Sequence, residues 1–151
     1  MDLGNIGSIM KKLKGTMIPE PILSKIMQQV LSGLAHLHRV VKQVHRDVKP
    51  DNVLINSQGE VKLTDFGISK TLDESLMMCN TFVGTMYYMS PERMMGEKYS
   101  YPSDIWSLGI ILAEMASGEF PFPPCQNYIE MLENVKETPS EHFTRNPAFS
   151  P

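Results

Sequence analysis

The sequence holds only two cysteines, Cys79 and Cys125, in 151 residues. That excludes a disulfide framework, and so few thiols suit a reducing cytoplasmic or nuclear setting. Surplus positive charge is also missing: 14 Lys and Arg stand against 17 Asp and Glu, a net charge of -3. Without a basic field, neither nucleic acid nor an anionic membrane surface is expected as a partner. The longest apolar stretch, Ile105 to Ala116, is broken by Ser107, Gly109 and Glu114 and is too short to span a bilayer. The first twenty residues carry Asp2, Lys11, Lys12 and Lys14 and several glycines where a secretory leader would be uninterrupted and apolar. No internal repeat or low-complexity tract is present. What remains, 42% hydrophobic and 21% charged, is the make-up of one soluble globular domain with a sizeable core.

From Ile22 to His38 the residues Leu23, Met27, Val30, Leu31, Leu34 and Leu37 recur at helical spacing behind Pro19-Glu20-Pro21, a sequence suited to a helix entrance. Val53-Leu54-Ile55 and Val61-Lys62-Leu63 flank Ser57-Gln58-Gly59 and predict a small hairpin whose ends bring Asn52 and Asp65 close. Periodicity is lost from Thr71 to Tyr101, where Ser, Thr, Met and Tyr accumulate; a loop this long inside a compact domain is usually functional. Ser103 is then expected to cap a helix from Asp104 to about Ser117, apolar around most of its circumference and stopped by Gly118. Glu130 to Val135 predicts a brief further helix, and residues 138–151, with Pro139, Pro147 and Pro151, an irregular tail.

The octet His45-Arg46-Asp47-Val48-Lys49-Pro50-Asp51-Asn52 places a carboxylate, an ammonium and a carboxamide on one short loop. Phosphoryl transfer needs a carboxylate for the proton of the attacking hydroxyl, a cation for the γ-phosphate and hard oxygen ligands for Mg²⁺. Asp47, Lys49 and Asn52 can fill these roles in that order. Lys49 lies two residues beyond Asp47, so in extended backbone both side chains project to one side. A charge about 4 Å from a phosphate oxygen is worth about 4 kcal/mol at an effective dielectric near 20. Asp65, in Asp65-Phe66-Gly67, adds the anionic metal ligand that a neutral Asn52 cannot supply. Taken singly, an Asp-x-Lys is a solvated pair and an Asp-Phe-Gly a turn. His36 and His38 fall on different faces of a helix and read as packing and surface residues, not a metal site. The methionines at 77, 78, 86, 89, 94 and 95 read as adaptable packing or a protein-substrate surface. Gly4-x-x-Gly7 is too short, and too far from a strand, for a phosphate loop.

In order and spacing the octet, hairpin, Asp65-Phe66-Gly67, Ser90-Pro91-Glu92 and the helix from Asp104 together resemble a eukaryotic protein kinase from its catalytic loop onward. The resemblance covers residues 1 to about 122. It implies Asp47 as catalytic base, Lys49 as the ATP γ-phosphate contact and Asn52 and Asp65 as Mg²⁺ ligands. Arg46, Thr85, Glu92 and Asp104 would support the activation segment, Asp104 by bracing the catalytic loop from below. Lys at position 49 marks the serine/threonine type. A finer match, Asp65 to Lys70 and Phe82 to Arg93 with Ser90 where most kinases have Ala, looks like the mitogen-activated protein kinase kinases. Members of that family phosphorylate a Thr and a Tyr in the activation loop of a mitogen-activated protein kinase, and an upstream kinase activates them. Ser75 and Thr81, with five residues between them, resemble the plant-like acceptor pair; the animal pattern would place the first acceptor at Met77. A phosphate adds about -1.5 to -2 charges and orders a loop by pairing with arginine, here Arg46.

No Gly-x-Gly-x-x-Gly loop and no strand lysine with its helix glutamate precede the octet, and Met1-Asp2-Leu3-Gly4 resembles the chain just after the hinge between the lobes. The expected fold class is therefore mainly α: the large C-terminal lobe of the bilobal α+β kinase fold with a short hairpin, the small lobe absent. Residues 1–137 would form this partial kinase domain, from hinge through the helix after the activation segment. The arginine that would pair with Glu92 is not recognisable after Phe122. The function expected of the parent enzyme is dual-specificity protein phosphorylation. The alternative is a catalytically incompetent lobe that binds a kinase partner or substrate.

Overall fold

The computed structural model describes residues 1–66, 86–98 and 100–139. Ser75, Thr81 and Thr85 lie outside the described residues, as does the tail beyond Pro139. Among the described residues the fold is mostly helical, with one two-stranded antiparallel sheet. Helix α1 (Ile6–Leu13) begins behind Asn5, whose side-chain oxygen accepts from Ser8 N at 2.7 Å. The sequence reading did not foresee this helix, which is only eight residues long.

Helix α2 spans Glu20–His36 and buries Leu23, Met27, Val30 and Leu34 of the predicted stripe together with Ile26, which the spacing did not include, whereas Leu31, expected on that stripe, faces solvent. It does not end at His38 as a regular helix. Its last turn widens into a π-helical turn, Leu37–Val41, closed by Lys42 at φ 61. That widening leaves Val40 and Val41 exposed and delivers the chain into the segment before His45. A 3₁₀ turn, Pro50–Asn52, then leads into β1 (Val53–Ile55), which pairs with β2 (Val61–Leu63) in the register Val53 to Leu63.

Two attachments hold this hairpin in place. Gln29 of α2 donates from Nε2 to Gly59 O at 3.0 Å and accepts from Val61 N at 3.0 Å. On the other edge Ile55 N donates to Gly4 O at 3.0 Å, and Asn5 bridges Leu54. The backbone groups of so short a sheet would otherwise be left to water.

Helix α3 (Pro91–Met94) lies inside the stretch expected to be a loop. Helix α4 runs Tyr101–Ser117, so it starts earlier than Asp104. Ser100, not Ser103, is the cap; Ser103 is the third helical residue and completes a reciprocal capping box with Ser100. Nor is α4 buried all round, because Ile105 is 47% and Leu112 40% exposed. Its other faces serve two cores. Leu108, Ile111 and Met115 join Ile6, Leu23, Val30, Leu34 and Val53, whereas Ile110 packs with Met89, Met94, Phe122, Met131 and Val135. Each fully buried side chain of this size contributes about 1.5–3 kcal/mol. Gly118 ends the helix at φ 78, and a Cβ there would lie 2.0 Å from the carbonyl oxygen of Gly15. Only glycine fits both demands. Helix α5 is Tyr128–Glu137, longer at both ends than Glu130 to Val135, because Asn127 caps Glu130 N at 3.0 Å.

Candidate active site

The segment from His45 to Asn52 is held from beneath by the side chain of Asp104, which is 1% exposed. Its Oδ2 accepts from His45 N at 2.8 Å and from His38 Nε2 at 2.7 Å, while Oδ1 accepts from Arg46 N at 2.9 Å. A buried carboxylate is tolerated only where donors replace its water, and here three do. Arg46 sits at φ 72, a left-handed conformation that costs a non-glycine residue about 1–3 kcal/mol and persists because these bonds impose it. Of the two histidines read as packing and surface residues, His38 does pack, lying tilted against Tyr101 with ring centroids 4.6 Å apart, and it also bonds Asp104. Helical spacing alone gave no sign of this, since His38 lies within the π-helical turn.

His45 is buried, and burial lowers the pKa of its imidazole despite the opposing field of Asp104. The neutral ring has one proton. Thr64 O, 3.1 Å from Nε2, can only accept, so that nitrogen carries it and Nδ1 faces Asp47 N at 3.4 Å. The edge of Phe66 approaches the same ring, with centroids 6.3 Å apart.

Above this base, Asp47, Lys49 and Asn52 converge. Lys49 Nζ lies 2.9 Å from Asp47 Oδ2, and Asn52 Nδ2 donates to the same oxygen at 3.0 Å and to Asp47 O at 2.8 Å. Alternate projection does bring Asp47 and Lys49 to one side. The pair is partly solvated, so it adds little to stability; it fixes where the charges stand. With both bonds on Oδ2, Asp47 Oδ1 is the oxygen that can receive a proton. With Nδ2 turned to Asp47, the Oδ1 of Asn52 is the amide atom that can face a cation.

Antiparallel pairing continues past the strands as Thr64 N donates to Asn52 O at 3.0 Å. Asp65, exposed and at φ 61, is therefore one residue beyond the partner of Asn52. Asn52 and Asp65 offer hard oxygens, which suit Mg²⁺, an ion that keeps several waters and takes few protein ligands beside phosphate. Among the described residues no group of three His, Cys, Asp or Glu side chains converges to form a closed metal cage.

Glu92, expected to need an arginine, accepts from Ser103 Oγ at 2.7 Å. Burial alone would raise its carboxyl pKa, but hydrogen bonds led by that of Ser103 outweigh it and hold it below the usual range. Arg93 Nη1 donates to Arg46 O at 2.8 Å, tying α3 to the loop. Sequence reasoning also missed Tyr88, whose hydroxyl donates to Glu114 Oε2 at 2.7 Å while its carbonyl accepts from Ser107 Oγ at 2.6 Å. Burial and the neighbouring Glu114 both push the phenol well above its ordinary range, and burial pushes Glu114 up as well. Glu114 is a charged residue within an apolar run, and that was the available signal.

Residues 1–150 match the family model for the protein kinase domain. Mitogen-activated protein kinase kinase 3 of Arabidopsis thaliana is 49% identical over 140 residues, 93% of this chain and 26% of the relative. Mitogen-activated protein kinase kinase 1c of Physcomitrium patens is 49% identical over 145 residues, 92% of this chain and 41% of the relative. Mitogen-activated protein kinase kinase 1 of Arabidopsis thaliana is 45% identical over 157 aligned positions, 100% of this chain and 44% of the relative. The chain thus spans less than half the length of these curated relatives. With its kinase-domain match and these relatives, the chain belongs to the protein kinases and, within them, to the mitogen-activated protein kinase kinase family.

Proposed function

We propose that these residues are the floor of an ATP-dependent phosphoryl-transfer site, within the large lobe of a kinase that phosphorylates Ser or Thr and Tyr in the activation loop of a mitogen-activated protein kinase. The observation that supports this most is the convergence of Lys49 Nζ and Asn52 Nδ2 on one oxygen of Asp47. In this reading Asp47 Oδ1 orients the substrate hydroxyl and accepts its proton. Lys49, beside it, turns to the transferring phosphoryl group, where a fixed cation stabilises spreading negative charge. Asn52 and Asp65 would hold Mg²⁺, which would supply positive charge to offset the negative charge of the ATP phosphates. Asp104 positions the loop without touching substrate. The expected partners are a mitogen-activated protein kinase as substrate and an upstream kinase as activator.

Two outcomes test this reading in the chain joined to a glycine-rich small lobe from a relative. Asp65→Asn is expected to weaken Mg-ATP binding at least about tenfold by calorimetry, since one anionic ligand of a divalent ion is lost; unchanged affinity would remove Asp65 from the metal site. Ser75 and Thr81 are proposed as acceptors of the upstream kinase, with Arg46 receiving the phosphate charge. A Ser75→Ala/Thr81→Ala chain should no longer be stimulated by that kinase. Full stimulation would assign the switch elsewhere.

A further inference from the structure

A second recess opens beside α5, away from the loop that carries Asp47. It is a groove of about 890 Å³, within the size range of ligand sites. Its floor is a run of aromatic rings in contact: Tyr87 meets Phe120 edge-on with centroids 5.0 Å apart, Tyr88 meets it edge-on at 6.1 Å, and Phe122 meets it at a tilt at 5.8 Å. Pro121, Pro123 and Pro124 form one wall, and Asn134 Nδ2 pins it to α5 by donating to Pro123 O at 3.1 Å. Walls of fixed φ lose little freedom when a ligand is seated.

The charge around this apolar floor has one sign. Glu119 and Glu137, both exposed, and the half-buried Glu114 line the groove, and no Lys, Arg or His does among the described residues. The backbone of Glu119 is held in place, because Ser117 Oγ accepts from its N–H at 3.2 Å and donates to its carbonyl at 2.8 Å. Carboxylates at the rim and ring faces below both attract cations. Tyr88 and Glu114 also line a smaller cavity of about 260 Å³ that reaches Pro50 and Asp51, directly after Lys49 in the chain. Tyr88 and Glu114, hydrogen-bonded to each other, thus stand between the groove and the cavity that borders the catalytic loop.

We propose that this groove seats a basic, apolar-anchored segment of the protein substrate, holding it while a neighbouring hydroxyl reaches Asp47. The inference rests on the phosphoryl-transfer reading for the identity of the partner, and on the aromatic floor and acidic rim for its chemistry. Apolar side chains of the segment occupy the space above Phe120, and its Arg or Lys residues meet Glu119 and Glu137.

The test uses residues 1–151 without nucleotide and follows fluorescence anisotropy of a labelled Leu-Arg-Leu-Arg-Leu peptide, with Leu-Glu-Leu-Glu-Leu as its acidic counterpart. The basic peptide should bind saturably and the acidic one at least about tenfold more weakly. Glu119→Lys/Glu137→Lys, at two exposed positions and expected to keep the parent's circular dichroism, should weaken the basic peptide at least about tenfold, as should raising salt. Equal binding by this variant, or by the acidic peptide, overturns the proposal. So does binding that arises only after Phe143→Ala/Phe149→Ala, which assigns the groove to the chain's own tail. A dimer in light scattering that the same charge reversal dissolves assigns it to a second copy and likewise overturns it. Because no nucleotide is present, failure here leaves the phosphoryl-transfer site standing, and undiminished transfer by Asp47→Asn, which would count against that site, leaves the peptide chemistry of the groove standing.

Discussion

Asp47→Asn, in the chain joined to a small lobe, should slow phosphoryl transfer about 10²- to 10⁴-fold, the range for a positioned general base. Affinity for Mg-ATP should stay within about threefold, because Asp47 faces the hydroxyl and not the metal in this account. The amide keeps the shape of the carboxylate, yet it cannot accept the proton that leaves the attacking oxygen. It also turns a donor or a weaker acceptor toward Lys49 and Asn52, whose nitrogens lie 2.9 and 3.0 Å from Oδ2. Single-turnover kinetics beside calorimetry separate the two effects. Transfer within tenfold of the parent would show that proton acceptance by Asp47 does not limit the reaction.

The largest effect on stability is expected at Asp104. Asp104→Ala removes the acceptor of three bonds at 2.7, 2.8 and 2.9 Å in a place water does not reach. The amides of His45 and Arg46 are then orphaned, and a buried donor left unpaired costs about 1–3 kcal/mol. Together with the stranded His38, the loss should be about 3–5 kcal/mol, a large part of the stability of an ordinary domain. Asp104→Asn is a milder form of the experiment: its oxygen can serve one amide, but its NH₂ meets a donor. Chemical denaturation reads the loss. Hydrogen exchange of the His45 and Arg46 amides locates it, and protection unchanged in Asp104→Asn would refute the bracing role.

The helical stripe of α2, apart from the exposed Leu31, and the β1–β2 hairpin were legible because each is a local pattern: a buried face at 3.6-residue spacing and the triplets Val53-Leu54-Ile55 and Val61-Lys62-Leu63 about a turn. The convergence of Asp47, Lys49 and Asn52 was legible for the same reason, since all three stand on one short loop. Contacts made across the fold were less so. The bond from His38 to Asp104 joins residues 66 positions apart, and that from Tyr88 to Glu114 joins residues 26 apart. No spacing rule reaches that far. The start of α4 was misjudged because Ser100 and Ser103 are both good caps, and the reciprocal box that they form decides for Ser100. Its all-round apolar pattern suggested full burial, whereas Ile105 and Leu112 remain uncovered among the described residues. Helix α1 is short and Lys-rich, and its partner, the 3₁₀ turn at Pro50–Asn52, lies far along the sequence.

The most direct test of the central claim, that these residues are the floor of the site, compares residues 1–151 alone with the same residues joined to a relative's glycine-rich small lobe. Transfer of phosphate from ATP to an inactive mitogen-activated protein kinase is measured for both. In-line transfer depends almost wholly on positioning, and the lysine and glycine-rich loop that align the phosphates belong to the small lobe. Residues 1–151 should show no measurable transfer and weak Mg-ATP binding, and the joined chain should phosphorylate both Thr and Tyr. Micromolar ATP affinity with transfer by residues 1–151 alone, or no transfer by a folded joined chain, would contradict the claim.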